Sequence, residues 1–282
     1  MKQASEPLTM APSTLTAILT SVLALLFPLV SAQARCQYYP LRNAADLFRE
    51  AQTFGELDPS FALSPNYTFL QNGKPTTPAS SILSTPLEID LETTLIDQEN
   101  CAVYTELIIT DKKKPHVIGA QIHFGFRESD GISLEANRVE ILVVKGSEGS
   151  RQFNVSAVLG YVQGEDWEAI SQTERTGREG LLAAADAFLG WLGEVKGAEA
   201  VPFGAPCSRL EGSVYSPETC NGRLQGEEAG KELVAAEKRF VVDEVVGGVN
   251  VVFEGKETVE SYLLRVLQGK LRYVHHILVA KG

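Results

Sequence analysis

A helix-forming segment followed by a series of strand-forming ones occurs twice in this chain of 282 residues, and that repeat limits the folds open to it. In the first pass, residues 41–52 (LRNAADLFREAQ) place Leu41, Ala44, Ala45, Leu47 and Phe48 on one helical face. A strand over 67–72 ends at Asn72-Gly73, a Thr/Pro/Ser linker follows, and strands are expected over 87–96, 101–110, 117–126 and 132–144. In the second pass, residues 181–195 form an amphipathic helix with Leu181, Ala184, Ala185, Phe188 and Leu192 inward. Residues 207–212 then stand where 69–73 stood, and strands over 240–246 and 249–253 turn at Gly247-Gly248. Two more are expected over 261–267 and 271–279. Ile96-Asp97 matches Val242-Asp243, and residues 151–178 read as a bridging segment. Helix then antiparallel strands, twice over, predicts α+β architecture: curved sheets wrapped on helices, with domains at 36–150 and, with the bridge, 151–282.

The first 32 residues carry a different signal. Lys2 precedes an uncharged apolar run over 15–30, and Val30-Ser31-Ala32 offers the small residues a signal peptidase cuts after. The run is shorter than the ~20 residues that span a bilayer, and Pro28 interrupts it. A retained signal anchor is the other reading; the small-residue exit favours cleavage. The expected location is the secretory lumen or outside the cell, with no stable membrane insertion. Four cysteines remain in that oxidising setting. Cys207 and Cys220 can close a local loop worth about 3 kcal/mol through the unfolded chain, which leaves Cys36 for Cys101. Asn66-Tyr67-Thr68 and Asn154-Val155-Ser156 are glycosylation sequons. A net charge of −11 argues against nucleic acid as a partner. No His/Cys spacing suits a metal, and no phosphate loop, dinucleotide fingerprint or nucleophile elbow indicates a cofactor.

The order of elements resembles the NTF2-like fold of ketosteroid isomerases and SnoaL-like cyclases. More narrowly, it is similar to secreted fungal proteins built of two such halves. The residues that carry this are 201–212 (VPFGAPCSRLEG), 239–244 (RFVVDE), Arg265 and 269–276 (GKLRYVHH), with 87–90 and 101–107 in the first half. The resemblance implies two tandem halves, each a cone-shaped, curved antiparallel sheet plus helices. It implies a cofactor-independent isomerase, cyclase or lyase of secondary metabolism, a class that includes cyclases joining maleic-anhydride polyketide monomers. The substrate would be a small anionic or polyketide-type molecule, the partners other enzymes of the pathway, and the state a monomer whose halves pair within one chain. A non-catalytic binding protein for a hydrophobic or anionic metabolite is the alternative.

In such a cavity a desolvated carboxylate or imidazole serves as a base, and an arginine or tyrosine steadies an enolate-like oxygen. Arg209 and Glu211 share a strand face beside the Cys207–Cys220 loop, so they read either as an anion-binding Arg with a nearby acid or as a structural ion pair. Alternation along 271–279 puts His275 with Leu271, Tyr273 and Ile277, which makes it the acid/base candidate over His276. His123 is its expected counterpart in the first half. Arg265 lies in an apolar run and reads either as a substrate-binding arginine or as one that needs a partner within the chain, for which Asp243 is the candidate; Asp243 otherwise reads as a structural turn cap.

Overall fold

The computed structural model describes residues 36–146, 153–195, 197–222 and 236–281; the leader expected over 1–32 lies outside them. Helix α1 (Tyr38–Phe54) tolerates Pro40 in its first turn and stops at Gly55, whose left-handed φ of 75° lets its N–H reach the Ala51 carbonyl. Strands β1 (Leu63–Gln71), β2 (Lys74–Pro75), β3 (Leu91–Asp97), β4 (Ala102–Ile109), β5 (His116–Phe126) and β6 (Leu134–Lys145) follow. Helix α2 (Val155–Val162) and helix α3 (Arg178–Leu192) come next. The chain then runs through β7 (Phe203–Glu211), β8 (Val214–Ser216), β9 (Lys238–Asp243), β10 (Gly248–Glu254), β11 (Thr258–Leu267) and β12 (Lys270–Ala280).

The strands make two six-stranded sheets, ordered β2-β1-β6-β5-β4-β3 and β8-β7-β12-β11-β10-β9. The two orders are identical, as the internal repeat requires. The sheets are mixed rather than antiparallel throughout: β1 runs parallel to β6, and β7 parallel to β12. The crossing from β1 to β6 spans the whole intervening hairpin series, so nothing in the local sequence forces an antiparallel return.

Each sheet has a helix-covered face and a face turned to the other sheet. Leu41, Ala45, Phe48 and Ala51 of α1 pack on Val103, Leu107, Ile118 and Ile141. Leu181, Ala185, Phe188 and Leu192 of α3 pack on Val249, Val251, Leu264 and Val274. Between the sheets, Ile108, Val117 and Leu142 meet Val252, Val259 and Ile277. The bridging segment holds α2, which the sequence reading passed over; Val155, Val158 and Val162 join this intersheet core. Its N-cap is Asn154, whose side chain accepts from the Ala157 N–H. The described residues of both halves fall in one compact unit, and among them no helix is long and apolar enough to cross a membrane.

Both disulfides are formed, Cys36–Cys101 and Cys207–Cys220, with Cα–Cα distances of 5.2 and 5.4 Å. Edge strands β3 and β9 meet through a reciprocal contact. Asp97 Oδ2 accepts the Val242 N–H at 2.9 Å, and Asp243 Oδ2 accepts the Ile96 N–H at 2.8 Å. Each Oδ1 caps its own turn, at Glu99 and Asn100 or at Val245 and Val246.

Candidate functional site

The pairing registers give a residue-by-residue correspondence of the two sheets. On the helix-covered face, Phe69, Ile118, Ala120 and Ile141 of the first half occupy the places of Arg209, Glu260, Tyr262 and His276. All four first-half residues are buried and apolar. The second half carries a charged and polar cluster at the same depth.

Arg209 is fully buried. Its guanidinium pairs with Glu211, donates to the Gly222 carbonyl at 3.0 Å, and stands 5.5 Å from the ring centroids of both Phe188 and Trp191 on α3. Its Nε–H has no hydrogen-bond partner among the described residues. The Cys207–Cys220 bridge ties this strand to the loop that supplies Gly222. Next to it, the His276 ring lies flat on Tyr262, 4.2 Å between centroids, with Nε2 2.9 Å from Glu260 Oε2. The Tyr262 hydroxyl and Thr258 Oγ1 also donate to Glu260. Burial first, then Glu260 and Glu211, hold the Tyr262 phenol well above its ordinary pKa against the opposing pull of Arg209, so it stays protonated. The His276 and Glu211 side chains keep 11% and 18% of their exposure, so the cluster reaches solvent.

The expected convergence of His275 with Arg209 and Glu211 does not occur. A bulge at Arg272 shifts the register between Leu271 and Tyr273. Leu271 therefore turns to the helix-covered face with Val274, while His275 faces the other sheet. There its Nδ1 meets Glu106 of the first half and its Nε2 meets Glu165 of the bridge, both at 2.8 Å. Burial opposes the charge, but the two carboxylates outweigh it and lift His275 to about 10. At neutral pH it is an imidazolium and has no lone pair with which to take a proton. Ser208 Oγ and Trp167 Nε1 donate to Glu165, and Tyr104 donates to Glu106.

His123 is not the counterpart of His275 either. The registers pair His123 with Arg265 and Glu140 with His275. His123, half-buried, has Nε2 2.9 Å from Gln121 Oε1; burial, then Arg239, lowers its pKa. Glu140 takes two bonds from Arg239 of the other half, at 2.9 and 2.7 Å. Arg265 donates to the carbonyls of Val246 and Glu168, with its guanidinium 5.6 Å from the Trp167 ring centroid. Asp243 is committed to backbone N–H groups and forms no ion pair with Arg265. Trp167 packs against both His275 and Arg265, and with Arg42, Glu92, Thr94, Glu165 and Asp243 it lines a cleft of about 440 Å³. Among the described residues no group of His, Cys, Asp or Glu is arranged to hold a metal ion.

The sequence reading missed Glu260 and Tyr262 and set His276 aside. The signal available was polar residues at alternate positions along one face of β11, namely Thr258, Glu260 and Tyr262.

Residues 174–278 match a family described only as a domain of unknown function (DUF8021). That span runs from just before α3 into β12 and contains the whole Arg209–Glu211–Glu260–Tyr262–His276 cluster. No curated protein matches the chain.

Proposed function

We propose that the second half is a cofactor-independent proton-transfer site, acting as an isomerase, cyclase or lyase on a small anionic, polyketide-type molecule. The NTF2-like and ketosteroid-isomerase-like character expected from the sequence belongs to this proposal, as does the secretory location. One observation supports it above the rest: four buried positions that are Phe, Ile, Ala and Ile in the first half are Arg, Glu, Tyr and His in the second. Even paired, buried charges seldom stabilise a fold more than well-packed apolar side chains of similar size, so a half that only needed to fold would do as well with the apolar set.

In this reading a substrate carboxylate or enolate oxygen displaces Glu211 from Arg209 and gains the free Nε–H as well. His276 takes a proton from the carbon next to a carbonyl and returns it to another position of the same molecule, leaving the protein unchanged. Glu260 holds the imidazole in place and offsets its charge while the proton is on it. Tyr262, kept protonated by burial, supplies a flat wall for the ring. The roles first given to His275 and His123 pass to His276.

Deuterium uptake from D2O at the α-carbon of a 3-oxo carboxylate probe, followed by NMR, tests this. Arg209→Met and His276→Phe are each expected to lower the exchange rate about 10²-fold or more, with melting temperatures measured alongside. Exchange at the parental rate in both folded variants sinks the proposal. The binding-protein reading has its own support, since Arg209 and Glu260 already have partners within the chain. It predicts that the probe binds without exchange and that Arg209→Met alone abolishes binding.

A further inference from the structure

A hollow of about 630 Å³ opens on the first half where β1 leaves β6. The pairing passes from Leu63↔Ala136 to Thr68↔Arg138, so residues 64–67 bow outward from the sheet. Ser64, Pro65 and Asn66 form one wall, and Phe126, Glu128 and Asn137 face them. Phe126 is 39% exposed, an aromatic ring left open to solvent at the end of β5.

The second half closes the same place from within. There Pro206 stands at the position of Asn66 and Arg272 at that of Asn137, and the Arg272 guanidinium donates to the Pro206 carbonyl at 2.9 Å. In the first half no such bridge exists. Asn66 is exposed, and its side-chain amide has no hydrogen-bond partner among the described residues. Asn66 also begins an Asn-Tyr-Thr sequon, with Thr68 exposed two residues on. The other sequon differs: the Asn154 side chain is the N-cap of α2.

We infer that Asn66 carries an N-linked glycan whose first sugar residues fill this hollow, the apolar face of a pyranose resting on Phe126. The occupant is attached at the rim, so it enters at high effective concentration and needs little affinity of its own. The volume lies within the ~300–1,000 Å³ of sites that enclose small molecules. Arg127 and Glu135 line the hollow as well and are paired with each other at 2.6 Å, so the charge at its wall is already matched. The glycan does for the first half what the Arg272 bridge does for the second.

The test uses the full chain with its own first 32 residues, secreted from a eukaryotic host. Peptide mass spectrometry before and after endoglycosidase treatment should place a glycan on Asn66, and Thr68→Ala should remove it while leaving Asn66 in place. Amide hydrogen exchange at residues 125–127 should be several-fold slower in the glycosylated protein than in the enzymatically trimmed one. An unmodified Asn66 in secreted protein, or a glycan on Asn154 alone, overturns the inference. So does a glycan on Asn66 that leaves exchange at 125–127 unchanged.

Discussion

The two halves share strand order, the parallel closing pair and the place of the bulge, at Asn137 in β6 and Arg272 in β12. They differ in what they enclose. Under α1 the first half is filled with Phe48, Phe69, Ile118 and Ile141, and the buried Gln52 of α1 donates to the Ile82 and Thr85 carbonyls. Under α3 the second half keeps an arginine, two carboxylates, a tyrosine and a histidine at matching depth. Under the proposed function, that difference makes the first half a folded support and leaves to the second the groups that chemistry or recognition needs.

The reciprocal aspartates offer the largest test of that asymmetry. Asp97 also takes two bonds from Arg178, at 2.8 and 2.9 Å, whereas Asp243 has only backbone partners. Burial, despite those N–H groups, raises the Asp243 pKa. Asp97→Ala therefore breaks a buried ion pair and should cost about 3–5 kcal/mol by denaturant unfolding. Asp243→Ala should cost about 1–3 kcal/mol, the value of orphaned N–H groups. Equal losses would show that Arg178 contributes nothing and that the halves are held symmetrically.

The disulfides differ by the loops they close, 65 residues in the first half and 13 in the second. Replacing Cys36 and Cys101 by alanine should cost about 4 kcal/mol, and the same change at Cys207 and Cys220 about 3 kcal/mol. The second change should also weaken probe binding, since it frees the Gly222 carbonyl that holds Arg209. Binding unaffected by it would separate that bridge from the site.

Exchanging the residues themselves sharpens the comparison further. Arg209→Phe installs the first-half residue on Phe188 and Trp191, and Glu211 is exposed enough to remain solvated. Stability should hold or rise by about 1 kcal/mol, as when a buried ion pair gives way to apolar packing, while proton exchange is lost. A marked loss of stability would mean that Arg209 is structural.

The smallest effect near neutrality belongs to His275. Its folded-state pKa of about 10 lies above the ordinary 6.5, so the stability it contributes is complete below about pH 6.5 and is lost as pH rises toward 10. Melting temperature should fall over that window in the parent and less steeply in His275→Gln. Parallel curves would mean that the Glu106–His275–Glu165 link between the halves carries no charge.

The repeat, α1, α3 and most strands were readable because apolar periodicity and turn residues such as Gly247-Gly248 act locally, whereas the short α2 in the bridge was not. Both cysteine pairings followed from spacing and elimination. The faces of β12 were not readable: one bulged residue, Arg272, reverses the alternation between Leu271 and Tyr273, and no residue type announces it. The parallel pairs were missed for a related reason, since four other strands separate β1 from its partner β6 along the chain. His276 lost to His275 on that parity argument alone, and the acids that meet His275, Glu106 and Glu165, lie 169 and 110 residues away in the chain.

Sheets in general end in strands whose outward N–H and C=O groups invite another chain to add on. Here β2 and β8 are two and three residues long, and Pro75 removes a donor from the first. The longer edges, β3 and β9, are stoppered by each other, because the Asp97 carboxylate occupies the outward N–H of Val242 and Asp243 that of Ile96. The pair of carboxylates thus acts as a guard against strand addition and fibril growth. A chain that lost both would present two adjoining open borders, and self-association in concentrated solution would accompany its loss of stability.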